Sequence, residues 1–142
     1  MKMEEALRLE RKEKDKFKQY FELMALWMRR QRQNASVGDY ILGKGFNSVG
    51  IYGKGLLGEM LFQELQECEQ LEVKYYIDRD KGGCEMPVAV VAPDEISKEN
   101  EPQVIIVTPF LEYTSIRNDL SKRCDAMILS LEDVIYFCGK KD

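Results

Sequence analysis

At 142 residues with 44% hydrophobic content, the chain has room for one domain with a buried core and too little for two. Its net charge of −4 speaks against a nucleic-acid binder, and its longest apolar run, 23–28, is far short of the roughly 20 residues of a membrane span. Cys68, Cys84, Cys124 and Cys138 form no C-x-x-C pair and there is no histidine, so free thiols in a cytoplasmic setting are expected and a metal site is not.

The opening MKMEEALRLERKEK lacks the apolar stretch of a signal peptide. Residues 1–33 hold ten Lys/Arg and six Asp/Glu, a net of +4, which leaves −8 for the remainder and marks out an N-terminal element with its own role. Free of Gly and Pro and rich in Glu, Lys, Arg, Leu, Met and Ala, residues 3–33 are predicted to form one long helix. Glu4/Arg8 and Glu10/Lys14 are favourable i,i+4 pairs. Phe17, Tyr20, Phe21, Met24, Trp27 and Met28 fall on one apolar stripe, expected to pack on the chain's own domain or to pair protomers in a homo-oligomer. The first half of the helix has almost no stripe and is expected to project into solvent or meet another chain. A second short helix begins at the N-cap Ser36 and ends near Gly43 or Gly45.

From residue 48 the rhythm alternates between strands and helices. Strands are expected at 48–52, 73–77, 87–91, 104–108 and 126–129, and helices at 56–68 and 112–122. A helical turn is expected at 93–96, and a last helix capped by Ser130 has Asp133 at the capping-box position. Alternation of this kind implies an α/β fold, a doubly wound parallel sheet of about five strands in order 3-2-1-4-5. The expected division is a helical extension over 1–46 and a sheet domain over 47–142.

The chemistry concentrates in Gly53-Lys54-Gly55-Leu56-Leu57-Gly58, a G-x-G-x-x-G loop between the first strand and the helix after it. There the first glycine permits a tight turn, the second lets backbone approach a pyrophosphate, and the third lets helix pack on strand. The helix N-terminus adds free N–H groups and about half a positive charge. Twenty residues past Gly58, at the end of the second strand, stands Asp78, where a carboxylate accepts from ribose hydroxyls. The adjacent Arg79 suits a 2′-phosphate instead, or an exposed ion pair with it. Lys54 either contacts phosphate or points outward. Thr108, Pro109 and Phe110 follow the fourth strand and are expected opposite the glycine loop, with Phe110 stacking on the ligand or capping the core. Together these features describe a Rossmann-like nucleotide-binding domain.

The segments GIYGKGLLGEMLFQEL, VKYYIDRDKGG, MPVAVVAPDEI, PQVIIVTPFLEYTSIRNDL and AMILSLEDVIY resemble the small Rossmann-like domains of bacterial surface-polysaccharide biosynthesis. Such domains stand at the N-terminus of acetyltransferases of the sialic-acid and bacillosamine type, and in nucleotide-sugar dehydratases. The resemblance covers about 95 residues and implies contacts from Gly53, Gly55, Gly58 and Asp78 to NAD(P) or a nucleotide-sugar. A glycosyltransferase or other sugar-modifying enzyme is the implied partner. No catalytic residue carries over: the hexapeptide repeats of the acetyltransferases are missing, and the Tyr-x-x-x-Lys spacings Tyr40/Lys44 and Tyr136/Lys140 read as accidental. The expected function is a nucleotide- or nucleotide-sugar-binding module without chemistry of its own. The alternatives are a minimal NAD(P)-dependent enzyme completed by an oligomer, and an interaction protein acting through its N-terminal helix. Among thiols, Cys84 after Gly82-Gly83 is the one expected at the surface.

Overall fold

The computed structural model describes residues 2–82 and 85–139; Gly83, Cys84 and Lys140 lie outside them. The order of elements is α1 (Lys2–Arg32), α2 (Val37–Gly43), β1 (Ser48–Tyr52), α3 (Leu56–Gln66), β2 (Glu72–Ile77), β3 (Val90–Val91), a 3-10 turn (Pro93–Glu95), β4 (Val104–Val107), a second 3-10 turn (Phe110–Glu112), α4 (Tyr113–Ser121), β5 (Met127–Ser130) and α5 (Leu131–Cys138). The five strands make one sheet in the order β3-β2-β1-β4-β5, and every pairing is parallel. The fold is therefore the doubly wound α/β arrangement expected from the alternation of elements.

Period-two alternation divides the core. Val104 and Ile106 of β4 join Val49 and Ile51 of β1 on one face, under Leu61 and Leu65 of α3 and Leu131, Val134 and Ile135 of α5. Ile105 and Val107 join Tyr52 and Ile77 on the other, against Ile116 and Leu120 of α4. Helices thus cover both faces, and all four residues of β4 are buried, as a continuous apolar run in a parallel sheet requires.

The N-terminal helices belong to the first of these layers. Leu23 and Trp27 of α1 and Val37 and Ile41 of α2 are buried in the same cluster as β1 and α3. Glu64 of α3 ties them together: its carboxylate accepts from Trp27 Nε1 (2.9 Å), Gln31 Nε2 (3.2 Å) and the backbone N–H of Val37 (3.0 Å). Arg30, one of the basic residues in the last turn of α1, donates to the carbonyls of Ile135 and Tyr136 (2.9 Å each). It thereby caps the C-terminal turn of α5, where unpaired carbonyls favour a cation.

Four expectations need correcting. The single stripe on α1 is two stripes. Leu23 and Trp27 are buried and Tyr20 and Met24 half-buried, whereas Phe17 and Phe21 are 72% and 73% exposed and Met28 is exposed with them. At 100° per residue the two sets point about 90° apart, and the domain covers only one. The third strand shrinks from 87–91 to Val90–Val91; it is an edge strand, and Pro87 has no N–H for a ladder. The fourth-strand helix begins as a 3-10 turn at Phe110 before continuing as α4. At α5 the Ser130 hydroxyl accepts from the N–H of Glu132 (3.2 Å) rather than that of Asp133, so the bond falls on the second helical residue.

Candidate functional site

At the carboxyl ends of the central strands the ladder runs one step past β1 on both sides. The Gly53 N–H donates to the Ile77 carbonyl (2.8 Å), and the Thr108 N–H to that of Tyr52 (3.0 Å). The chain then turns sharply at Gly53, whose φ of +101° is left-handed. A side chain there would also overlap the Thr108 hydroxyl. Gly58, on the first turn of α3, lies so close to the Gly53 carbonyl that a Cβ would collide with backbone. The fold itself requires these two glycines.

Gly55 is different. Its φ is −75°, open to any residue, and a Cβ built there meets nothing within 4 Å. It is the N-cap of α3 and supplies no side chain to the helix end, whereas α2 and α5 open on Ser36 and Ser130, whose hydroxyls each accept a backbone N–H. The Gly55 carbonyl accepts from Glu59 (2.9 Å). The N–H groups of Leu56, Leu57 and Gly58 find no acceptor among the described residues. Leu56 itself is exposed and Leu57 half-buried.

Asp78 is built into the loop. One carboxylate oxygen accepts from the N–H of Lys54 (3.1 Å), the other from the N–H of Asp80 (2.9 Å). Each oxygen keeps a lone pair for a further donor. Lys54 does not point outward. Its ammonium donates to the Gly82 carbonyl and lies 3.8 Å from the Asp80 carboxylate, with its side chain only 17% exposed. The Asp80 carboxylate in turn accepts from the N–H of Gly82 (3.0 Å). Lys54 and Asp78 thus fasten the glycine loop to the segment that follows β2.

Beside Gly53 opens a crevice of about 540 Å3 lined by Tyr52, Asp78, Arg79, Pro109, Glu112 and Ser115, among others. It lies where strand order reverses between β1 and β4, the place at which open parallel sheets bind ligands, and its volume suits a small organic molecule. Gly53, Asp78, Arg79 and Pro109 meet there as expected. Thr108 and Phe110 do not line it, nor do Lys54, Gly55, Leu56, Leu57 and Gly58 of the glycine loop. The Thr108 hydroxyl is buried and donates to the Tyr52 carbonyl (2.7 Å), and the buried Phe110 ring meets Tyr20 edge-on at 5.0 Å, capping the core. Tyr52, Glu112 and Ser115 went unmarked in the sequence. The signal for them was positional: the last residue of the first strand, and the first turn after the fourth. Burial raises the Tyr52 phenol above its ordinary 10.0, against the pull of the neighbouring Arg79 guanidinium, so it stays protonated at neutral pH.

A larger hollow of about 990 Å3 lies between the α1–α2 turn and the end of α5. It includes Tyr40 and Lys44, whose ammonium sits 5.3 Å from the Tyr40 ring in a cation–π contact. No glycine loop and no switch in strand order face it, so the crevice at the strand ends is the stronger candidate. Among the described residues no group of three or more Cys, Asp or Glu is placed to hold a metal ion, and no helix is long and apolar enough to cross a membrane. Cys84 lies outside the described residues. No protein-family model matches the chain, and neither a curated protein nor a solved structure matches it significantly.

Proposed function

We propose that this chain is a nucleotide-binding module in which the loop 53–58 and the N-terminus of α3 hold the phosphates of NAD(P) or a nucleotide-sugar. The observation that carries the reading is Gly55. The protein's own packing accounts for the glycines on either side of it but gives no reason for this one. A glycine with ordinary φ, facing open space at an uncapped helix N-terminus, is what close approach of a phosphate to backbone N–H groups calls for. Asp78, already anchored through one lone pair on each oxygen, stands where ribose hydroxyls would donate to it. Arg79 also lines the crevice. The module binds without chemistry of its own: the sequence has no histidine, and the phenol in the crevice holds its proton more tightly than an ordinary tyrosine. It would present the ligand to a sugar-modifying partner, in keeping with the resemblance to polysaccharide-biosynthesis domains.

Titration calorimetry with NAD+, NADP+, UDP-sugars, coenzyme A and S-adenosylmethionine tests this, followed by Gly55→Val. Because Gly55 has extended backbone and an open surround, the valine variant is expected to fold as the parent does while losing at least about tenfold in affinity. No binding by any nucleotide, or undiminished binding by the valine variant, overturns the proposal.

A further inference from the structure

The exposed face of α1 has a period of its own. Met3, Leu7, Glu10, Lys14, Phe17 and Phe21 are spaced alternately four and three residues apart, the a/d pattern of a coiled coil. Met3, Leu7, Phe17, Phe21 and Met28 are all exposed. Residues 2–19 of the helix are exposed throughout, and a helical segment of that length with no packing face is marginal in water. The domain covers the neighbouring face, through Leu23 and Trp27, and leaves this one bare.

We propose that a second copy of the chain covers it, with the two α1 helices antiparallel and Glu10 of each facing Lys14 of the other. The charges select this arrangement. Opposing Glu10 to the partner's Lys14 sets Leu7 against the partner's Phe17 and Met3 against the partner's Phe21, so apolar residues flank a central pair of opposite charges. In a parallel pair of the same frame Glu10 meets Glu10 and Lys14 meets Lys14, burying two like-charge contacts. The outer positions agree. Residues 4–10 carry Glu4, Glu5, Glu10 and Arg8, a net of −2, and residues 14–20 carry Lys14, Lys16, Lys18 and Asp15, a net of +2. Antiparallel overlap of residues 3–21 lays each acidic block on a basic one and opposes the helix dipoles favourably. The overlap spans about 28 Å at 1.5 Å per residue and stops short of Leu23 and Trp27, which stay with their own domain. A polar pair inside an apolar seam weakens it but fixes register and orientation.

Light scattering and cross-linking on the full chain decide the matter. The parent is expected at twice its 16.5 kDa, and Phe17→Glu with Phe21→Glu at 16.5 kDa with unchanged circular dichroism, since both rings are exposed. Glu10→Lys alone sets a second ammonium against the partner's Lys14 and is expected to weaken the dimer about tenfold; Glu10→Lys with Lys14→Glu restores it. Under mild oxidation, a mixture of Leu7→Cys and Phe17→Cys chains should give a disulfide-linked dimer that neither gives alone. A monomeric parent, a dimer that survives the phenylalanine changes, a double swap that fails to restore it, or cross-linking by Leu7→Cys alone would each refute the arrangement.

Discussion

Replacing Glu64 by leucine should loosen the joint between the N-terminal helices and the sheet domain. The carboxylate accepts three hydrogen bonds, from Trp27 Nε1, Gln31 Nε2 and the N–H of Val37. Trp27 and Val37 are buried, at 1% and 0% exposure, so their donors are left without an acceptor, at about 1–3 kcal/mol each. Gln31 turns to water at little cost. Glu64 is half-buried, which lets water reach the site and places the expected loss near the low end, about 2–3 kcal/mol. That is a large share of a typical domain stability of about 5–15 kcal/mol. Glu64→Gln keeps one acceptor oxygen and should lose about half as much. Trp27 is the only tryptophan, so its fluorescence during urea unfolding reports on this joint directly. A leucine variant within about 0.5 kcal/mol of the parent would refute the reasoning.

Gly58→Ala should cost about 1–3 kcal/mol or more, because its Cβ meets the Gly53 carbonyl, while Gly55→Ala should be neutral or gain about 0.4–1 kcal/mol; thermal melts of the pair check the contrast. Stability should fall in alkali. Burial lifts Cys138 from 9.0 to about 11 and Tyr75 from 10.0 to about 12. Raised values favour the protonated folded state, so stability is intact below about pH 9 and is lost as pH climbs through 11 and 12. Melting temperatures across that range, with Cys138→Val removing the earlier part of the decline, test the assignment. Lys54→Met removes the tie to Asp80 and Gly82. It should speed amide exchange in residues 78–82 and change global stability by no more than about 1 kcal/mol.

The sheet was legible because its signals are local and redundant. β4 is four apolar residues in a row between prolines, and the glycine loop falls between a strand and a helix, so strand order followed from right-handed crossovers alone. The failures lie where tertiary partners decide. Phe17 and Phe21 look as buried as Trp27 in a helical pattern, and only the width of the domain surface separates them. The role of Arg30 stays hidden, because nothing in the sequence announces carbonyls 105 and 106 positions away. Lys54 and Thr108 were placed near the correct loop ends, but a side chain's partner within such a loop depends on backbone angles that composition does not encode. Phe110 carried two readings, and the approach of Tyr20 on α1 selects the capping role.

The motif presents three glycines as one signature, yet they do three different things here. Gly53 makes the turn and Gly58 admits the strand end. Mutating either would disturb the fold, and a loss of the proposed binding would then say nothing about a ligand. Asp78 has the same ambiguity, since its carboxylate holds the N–H groups of Lys54 and Asp80 within the protein itself; Asp78→Ala would open the loop and remove the proposed ligand contact at once. Gly55 alone is dispensable to the folded chain and central to the proposed phosphate site. A bulky residue there changes only the space outside the protein, which makes loss of affinity in a fully stable Gly55 variant attributable to the ligand.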